Sequence, residues 1–237
     1  MRIALTRPQD DSERTATALR AKGHDVLIAP LLRVEPIAAE LRAAWGGVLI
    51  TSANAAAAIA THPARDGLIK LPVFAVGKRS ADAARAAGFT DITTAGGDVQ
   101  DLLKTVSARH ADAKGPLLYL AGEDRAGDLI GDLEVHGIAA ELAVVYRAVP
   151  APFAQTLAAA LRANQVDAVL HFSKRSAESY VAGAAAMGLS KIAMAARHVC
   201  LSGQVAEPLR AAGAARVAVA RRPDEAALIE LLEAAQA

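Results

Sequence analysis

Short runs of aliphatic residues alternate along the chain with longer alanine-rich stretches in which charged residues recur at helical spacing. Buried parallel strands carry continuous apolar runs and their connecting helices carry a 3.6-residue period, so this alternation predicts a βαβ organisation. Ten runs are predicted to be strands, divided between two sheets of five. They are Arg2–Leu5, Asp25–Ile28, Gly47–Ile50, Val73–Val76, Asp91–Thr94, Leu117–Leu120, Glu141–Val145, Ala168–Phe172, Val199–Leu201 and Arg216–Val219.

Helices are predicted between these strands, and several of them stop at a glycine. A glycine directly after a helix adopts the left-handed C-cap conformation at the lowest cost. The predicted helices that end in this way are Ser12–Lys22 before Gly23, Ser80–Ala87 before Gly88, Asp128–His136 before Gly137, and Gln204–Ala212 before Gly213.

The sequence contains an internal repeat. GVLITSANAAA, from Gly47, aligns with AVLHFSKRSAE, from Ala168, and this places Ser52 on Ser173. VFAVGKRSADAARAAGF aligns with VCLSGQVAEPLRAAGA, and ALTRP through LLRVEP resembles LYLAGEDR through VYRAVP. The chain therefore holds two copies of one five-strand unit, in each of which a two-strand piece precedes a three-strand piece.

Two domain arrangements satisfy this order of pieces. In a tandem arrangement, each copy forms its own domain. In a nested arrangement, the first two-strand piece joins the last three-strand piece around a middle domain, and LLRVEP and VYRAVP both become crossovers. The residues alone leave both arrangements open.

Polar loops follow the predicted strands at their carboxyl ends, where parallel sheets bind ligands. They read TRPQDD, ITSANA, VGKRS, LAGEDR, FSKRS and LSGQV. Hydroxyls, glycines and basic side chains beside a helix N-terminus favour an anionic ligand such as a polycarboxylate or a phosphate. Serine and asparagine also cap helices for structural reasons alone, so no single loop identifies a site.

Composition narrows the function classes. Hydrophobic residues make up 53% of the chain, but aromatic residues make up only 3%, as is typical of alanine-rich helices packed on sheets. The net charge is +1, which gives no global field to attract nucleic acid or an anionic membrane. The one cysteine, Cys200, cannot form an internal disulfide, and the six histidines lack metal-ligand spacing.

The chain is predicted to be cytoplasmic. The segment MRIALTRPQDD meets charge and proline too early for a secretion signal, and no apolar run approaches the roughly 20 residues that a membrane helix needs. A single thiol agrees with a reducing compartment.

Six segments, in one order along nearly the whole chain, are similar to the uroporphyrinogen-III synthase family. They are TRP at Thr6–Pro8, ITSANA at Ile50–Ala55, FAVGKRSADAARAAGF at Phe74–Phe89, LAGEDRAGDL from Leu120, VVYRAV at Val144–Val149, and HFSKRSAESY at His171–Tyr180. The resemblance implies an α/β fold of two similar doubly wound, parallel-sheet (flavodoxin-like) domains joined by a two-stranded hinge. It implies the nested arrangement, with residues 1–33 plus 150–237 in one domain, residues 34–149 in the other, and the active site in the cleft between them.

The implied substrate is hydroxymethylbilane, a linear chain of four pyrroles that each bear an acetate and a propionate. The implied product is uroporphyrinogen III, formed with loss of water and inversion of the last pyrrole, a step of haem and other tetrapyrrole biosynthesis. This lyase reaction needs geometric control and no cofactor or metal. We expect a monomer that binds neither nucleic acid nor membrane, with a possible transient hand-over of substrate from the preceding pathway enzyme.

Tyr146, in VVYRAV, matches the tyrosine that the family places at the cleft, and the resemblance assigns it the role of a weak acid. A phenol is protonated at neutral pH and can donate a hydrogen bond to a departing oxygen, although a tyrosine at a strand end also packs for purely structural reasons. Arg147, Lys174 and Arg175 are equally well interpreted as solvated surface charges. The candidates for holding the substrate are Arg7, Thr51, Ser52, Asn54, Gly77, Lys78, Gly122, Arg125, Ser173, Ser176, Ser202 and Gly203.

The sequence departs from the family pattern in the loop LSGQVAEP. Many relatives carry a glycine followed by hydroxyl residues there, whereas Gln204 follows Gly203 in this chain. Hydrogen-bond donors for an anion remain, but a catalytic threonine in this loop is not supported. His171, at a predicted strand end, is interpreted as a structural histidine.

Two other classes of protein are alternatives to this interpretation. A two-domain solute-binding or sensory module would bind an anion without reacting, but its usual periplasmic form needs an export signal. A nucleotide or sugar-phosphate enzyme is not supported, because neither GxGxxG after the first strand nor GxxxxGK[ST] occurs.

Overall fold

The computed structural model describes residues 1–41, 44–109, 115–125 and 127–234. Ala126, within the LAGEDRAGDL segment, lies outside the described residues. The chain divides into two compact units, which are Met1–Arg33 with Val149–Ala237 (unit 1) and Val34–Ala148 (unit 2).

The described residues form eleven strands and eleven helices. The strands are β1 (Arg2–Leu5), β2 (Asp25–Ile28), β3 (Leu32–Pro36), β4 (Gly47–Ile50), β5 (Val73–Ala75), β6 (Ile92–Thr94), β7 (Leu117–Gly122), β8 (Ala140–Pro150), β9 (Ala168–His171), β10 (Arg197–Cys200) and β11 (Val217–Val219). The helices are α1 (Gln9–Ala21), α2 (Ala53–Ala60), α3 (Arg65–Leu68), α4 (Lys78–Ala87), α5 (Val99–Arg109), α6 (Leu129–Val135), α7 (Gln155–Arg162), α8 (Lys174–Ala186), α9 (Ser190–Ala195), α10 (Gly203–Ala211) and α11 (Glu225–Ala234).

The strand order shows which pieces of the sequence repeat pair with one another. The sheet of unit 1 has the order β2-β1-β9-β10-β11, and its paired strands are parallel. In unit 2, the order β8-β7-β4-β5-β6 repeats this winding, with β3 added outside β8. The first two-strand piece of the repeat therefore pairs with the last three-strand piece, and the tandem arrangement does not occur.

β3 corrects the prediction of two sheets of five strands. It was not predicted as a strand, and it makes the second sheet six-stranded. Ile37 donates its N–H to the Val145 carbonyl, and Ala151 donates to the Leu31 carbonyl, so β3 and β8 run antiparallel. Its short sequence, LRVEP, lies at a sheet edge and carries only a weak apolar alternation, because one of its faces is not buried in a core.

Each sheet is covered by helices on both faces, as a doubly wound fold requires. In unit 1, Ile3 and Leu5 face a core formed with α1 and α11, whereas Ala4 faces α7, α8, α9 and α10. In unit 2, Leu118 and Leu120 face α2, α3 and α4, whereas the opposite face packs against α5 and α6. The predicted fold class is confirmed.

The predicted helix ends are also confirmed. Gly23, Gly88, Gly137 and Gly213 have φ values of 82°, 106°, 71° and 88°. At Gly88 the amide donates to the Arg85 carbonyl and closes the last turn of α4, so the left-handed conformation satisfies a terminal carbonyl.

Candidate active site

A β-bulge in β8 lies opposite the carboxyl end of β7. The parallel register is regular up to the pair Ala121 and Val144, but the next pair is Gly122 and Tyr146. Val145 is the extra residue, and it is buried in the same core as Ala143. Tyr146 therefore faces the side of the sheet that Gly122 faces, since a bulge re-aims the side chains that follow it.

The aromatic ring of Tyr146 lies directly against the backbone of Gly122. A Cβ atom built on Gly122 would be 2.6 Å from Cζ and 2.8 Å from the hydroxyl oxygen of Tyr146. Glu123 donates its N–H to the Tyr146 carbonyl at 2.9 Å, which ties the two strands together beside the ring. The half-buried phenol is thus held beside the carboxyl end of β7.

Arg125 holds the loop after β7. Its guanidinium group donates to the carbonyl oxygens of Gly122 at 3.1 Å and Glu123 at 3.2 Å. The loop ends at α6, where the Asp128 carboxylate accepts from the Gly131 N–H. These bonds fix the loop that borders Tyr146.

Tyr146 lines a pocket of about 560 Å³ within unit 2. Thr51, Gly122 and Arg125 also line it, so the structure brings three of the predicted substrate-binding residues together with the predicted weak acid. Tyr119 lines it too, and its hydroxyl lies 3.0 Å from the Thr51 hydroxyl. Sequence reasoning missed Tyr119, although a tyrosine within an otherwise aliphatic strand, LLYLAG, was an available signal.

The pocket carries more acidic than basic side chains. Asp98, Asp124, Asp128 and Asp132 line it together with Arg125. Asp98 accepts from the Asp101 N–H at 2.8 Å, and Asp128 caps α6, so two of the four carboxylates are engaged by helix N-termini. A pocket with this lining suits hydrogen-bond donors and developing positive charge better than carboxylate groups.

Two predicted serines cap helices at equivalent positions of the repeat. Ser52 accepts from the Asn54 N–H at the start of α2, and Ser173 accepts from the Ser176 N–H at the start of α8, each at 3.2 Å. The two serines that the sequence repeat aligns therefore have the same local role, which is to cap a helix N-terminus.

The N-termini of α4 and α10 differ from those of α2 and α8. Their N-cap residues, Gly77 and Ser202, make no side-chain capping hydrogen bond, and neither first turn contains an acidic residue. Lys78 is exposed at the start of α4, and Gly203 is exposed at the start of α10. Uncapped amides at the positive end of a helix dipole favour an anion.

Two predicted ligands serve the fold of unit 1. Arg7 is ion-paired with Glu225 at 2.9 Å, and its guanidinium group lies 4.1 Å from the centre of the Phe172 ring. Ser176 is 1% exposed and donates to the carbonyl and hydroxyl oxygens of Thr6. These contacts leave the Arg7 side chain 16% exposed and the Ser176 hydroxyl enclosed.

His171 belongs to a buried cluster in unit 1. Its Nε2 atom lies 3.1 Å from Nδ1 of His198, and both rings pack against Tyr180. Burial lowers the pKa of His171 well below its usual value, and His198 lowers it further. Burial also lowers the pKa of His198, to about 4, and the positive charge of Arg216 lowers it further. Both rings are therefore neutral at pH 7.

Within the described ranges, no group of three histidine, cysteine, aspartate or glutamate side chains is placed to hold a metal ion. No described helix has the length and apolar character that crossing a membrane requires.

The chain is similar to known proteins over nearly its whole length. The family model described as "Uroporphyrinogen-III synthase HemD" matches residues 13–230. The solved uroporphyrinogen-III synthetase of Helicobacter pylori has a TM-score of 0.61 at 17% identity, covering 99% of this chain and 100% of that one. A mutant uroporphyrinogen III synthase of the extremely thermophilic bacterium Thermus thermophilus has a TM-score of 0.50 at 18% identity, covering 100% of this chain and 99% of that one.

No curated protein matches the chain by sequence. The structural similarity to the two solved proteins shows the fold alone, and the family model, which spans most of the chain, establishes the family. The chain belongs to the uroporphyrinogen-III synthase family.

Proposed function

We propose that this chain cyclises hydroxymethylbilane to uroporphyrinogen III, with the reacting end of the substrate in the pocket lined by Tyr146. The observation that carries the proposal is the position of the Tyr146 phenol, held against Gly122 at the carboxyl ends of the strands in a pocket large enough for a pyrrole ring. Ligands of doubly wound sheets bind at this edge.

The first step is loss of the terminal hydroxyl group. The pyrrole nitrogen releases electron density toward the hydroxymethyl carbon, the C–O bond breaks, and an azafulvene remains. The Tyr146 hydroxyl donates a hydrogen bond to the departing oxygen, which leaves as hydroxide and takes up the proton that the pyrrole nitrogen releases, so that water is lost and the azafulvene is neutral. The acidic side chains around the pocket favour the positive charge that develops on the pyrrole.

The second step is ring closure. The last pyrrole attacks the azafulvene through its substituted carbon and forms a spiro intermediate, which fragments and closes again in the inverted sense. No atoms are lost beyond the elements of water. Unaided closure gives the non-inverted isomer, so the principal task of the protein is to restrict the geometry of attack.

The carboxylates of the substrate require local positive charge, because the chain as a whole is nearly neutral. We propose that the uncapped N-termini of α4 and α10 bind them, with Lys78 adding a charged donor at α4. The acidic pocket would receive the pyrrole N–H groups, which are hydrogen-bond donors.

We also propose that the enzyme acts as a cytoplasmic monomer and receives its substrate directly from the preceding enzyme. Only three large hydrophobic side chains are exposed among the described residues, namely Val135, Leu142 and Ile192, which favours a monomer. Direct transfer would limit the time in which free hydroxymethylbilane closes without inversion.

The test is an assay with freshly prepared hydroxymethylbilane. The porphyrinogens are oxidised to porphyrins, and the ratio of inverted to non-inverted isomer is measured with and without protein. The inverted isomer should dominate only when active protein is present, and heat-denatured protein is the control. An isomer ratio that the protein leaves unchanged would contradict the proposal and favour a non-catalytic anion-binding module.

A further inference from the structure

The contact between Tyr146 and Gly122 gives the glycine a role of its own. We infer that Gly122 is a positioning residue, whose bare Cα atom fixes the place of the Tyr146 hydroxyl, rather than a ligand of the substrate. The inference rests on the proposed role of Tyr146 and deepens it. If the inference holds, the pocket requires a residue without a side chain at position 122.

The requirement for glycine is spatial. Gly122 is part of β7 and is not among the glycines with positive φ, so an alanine would fit the backbone conformation. The obstacle is the Tyr146 ring, because an added Cβ would lie 2.6 Å from Cζ. Real Cβ atoms do not make contacts this short, so one of the two groups has to move.

The backbone at this point is held from several directions. Glu123 donates its N–H to the Tyr146 carbonyl, and Arg125 donates to the carbonyls of Gly122 and Glu123. The Gly122 segment and the bulge at Val145 are thus fixed by hydrogen bonds and by a buried side chain. The Tyr146 side chain, which is only half-buried, is the part that yields.

Displacement of the ring moves the hydroxyl away from the position at which it meets the substrate. A misplacement of about 1 Å in a catalytic group lowers turnover by as much as about 10²-fold. We therefore expect Gly122→Ala to lower kcat by roughly tenfold or more and to change KM much less, since the carboxylate-binding helices are untouched.

Gly67→Ala is the matched control. Gly67 lies in α3 of the same unit, is exposed, and has no atom within 4 Å of an added Cβ. This variant should keep the wild-type kcat, KM and isomer ratio.

A double-variant cycle separates positioning from substrate contact. If Gly122 acts through the Tyr146 hydroxyl, Gly122→Ala in the Tyr146→Phe background should cost little additional turnover. If the two losses multiply, Gly122 acts on the substrate independently and the inference is wrong. If Tyr146→Phe alone keeps full turnover, the role of Tyr146 in the proposed function fails instead.

A spectroscopic readout tests the positioning without catalysis. The chain has three tyrosines, so ring-labelled ¹³C-tyrosine gives a spectrum in which the Tyr146 signals are assigned by their loss in Tyr146→Phe. Gly122→Ala should shift the Tyr146 signals, and Gly67→Ala should not. Unshifted Tyr146 signals in folded Gly122→Ala protein would overturn the inference whatever the activity.

Stability provides the remaining check in case Gly122→Ala folds poorly. The destabilisation should disappear in a Tyr146→Ala background, because the ring that the new methyl group meets has been removed. A double variant that is as unstable as Gly122→Ala would show that another contact excludes the side chain, and the inference would fail.

Discussion

The hydroxyl groups of Thr51, which directly follows β4, and Tyr119, within β7, lie 3.0 Å apart. Tyr119 is only 8% exposed, so its hydroxyl depends on a protein partner to a large extent. The pair joins two neighbouring central strands at the floor of the pocket in which Tyr146 lies.

Thr51→Val should lower the free energy of unfolding by about 1 kcal/mol, because it removes one partner and leaves a largely buried hydroxyl. Tyr119→Phe should cost a similar amount. Urea denaturation of both single variants and of the double variant measures the coupling, and the double variant should lose less than the sum of the single losses. Strictly additive losses would mean that the two hydroxyls do not interact.

Tyr146→Phe should lower turnover by about 10- to 100-fold and leave the fold intact, because it removes a hydrogen-bond donor while preserving the ring against Gly122. Steady-state rates with hydroxymethylbilane and a thermal denaturation curve check the two parts. We expect residual activity to retain the inverted isomer, since geometry is imposed by the whole site. Unaltered turnover would remove the role assigned to the phenol.

Lys78→Glu should raise KM by roughly tenfold, because it replaces a cation with an anion at an uncapped helix N-terminus. The effect should shrink as salt concentration increases, owing to screening. Lys70→Glu is the control, since it makes the same charge change at an exposed site next to the amino end of β5. Equal effects of the two substitutions on KM would argue against carboxylate binding at α4.

The buried pair His171 and His198 predicts a stability that depends on pH. In the unfolded chain each ring takes up a proton below about pH 6.5. In the folded chain both remain neutral, because burial lowers both pKa values, that of His198 to about 4. The unfolded state therefore binds more protons, and stability is complete above about pH 6.5 and decreases as the pH falls toward 4.

For each of the two histidines, the decrease in the free energy of unfolding approaches about 1.4 kcal/mol per pH unit. Urea denaturation at pH 7, 6 and 5 measures how steeply the free energy of unfolding changes with pH. These pH values lie above the range in which the titration of carboxylates dominates that change. His198→Asn, which keeps a polar group without the titration, should reduce the slope even if it lowers the stability at pH 7. An unchanged slope would locate the pH dependence elsewhere.

The sequence predicted ten of the strands from their apolar runs, which are clearest in β4, β5, β7 and β9, where every residue is buried. It missed β3, whose edge position leaves only a weak pattern, and it stopped β8 at Val145, well before Pro150. Beyond Val145 the strand leaves the buried core and is partly exposed, so its pattern no longer reads as an apolar run.

The site could be predicted only in part, because contacts between residues far apart in the sequence leave no local pattern. Tyr146 and Thr51 were predicted as site residues from loop chemistry and family resemblance, and they line the same pocket. Gly122 was predicted to bind substrate, but only the bulge shows that it packs against a tyrosine 24 positions later in the chain. The partner of Arg7, Glu225, is likewise distant in sequence, so no local pattern indicated the ion pair.

The division of unit 1 between the two ends of the chain affects its synthesis. β1 pairs with β9, and about 160 residues separate the two strands. The sheet of unit 1 therefore lacks its last three strands while unit 2 emerges from the ribosome. At about 5–20 residues per second this delay is on the order of ten seconds. During that time the apolar strand IAL has no partner on one side, so apolar surface that the finished sheet buries remains exposed.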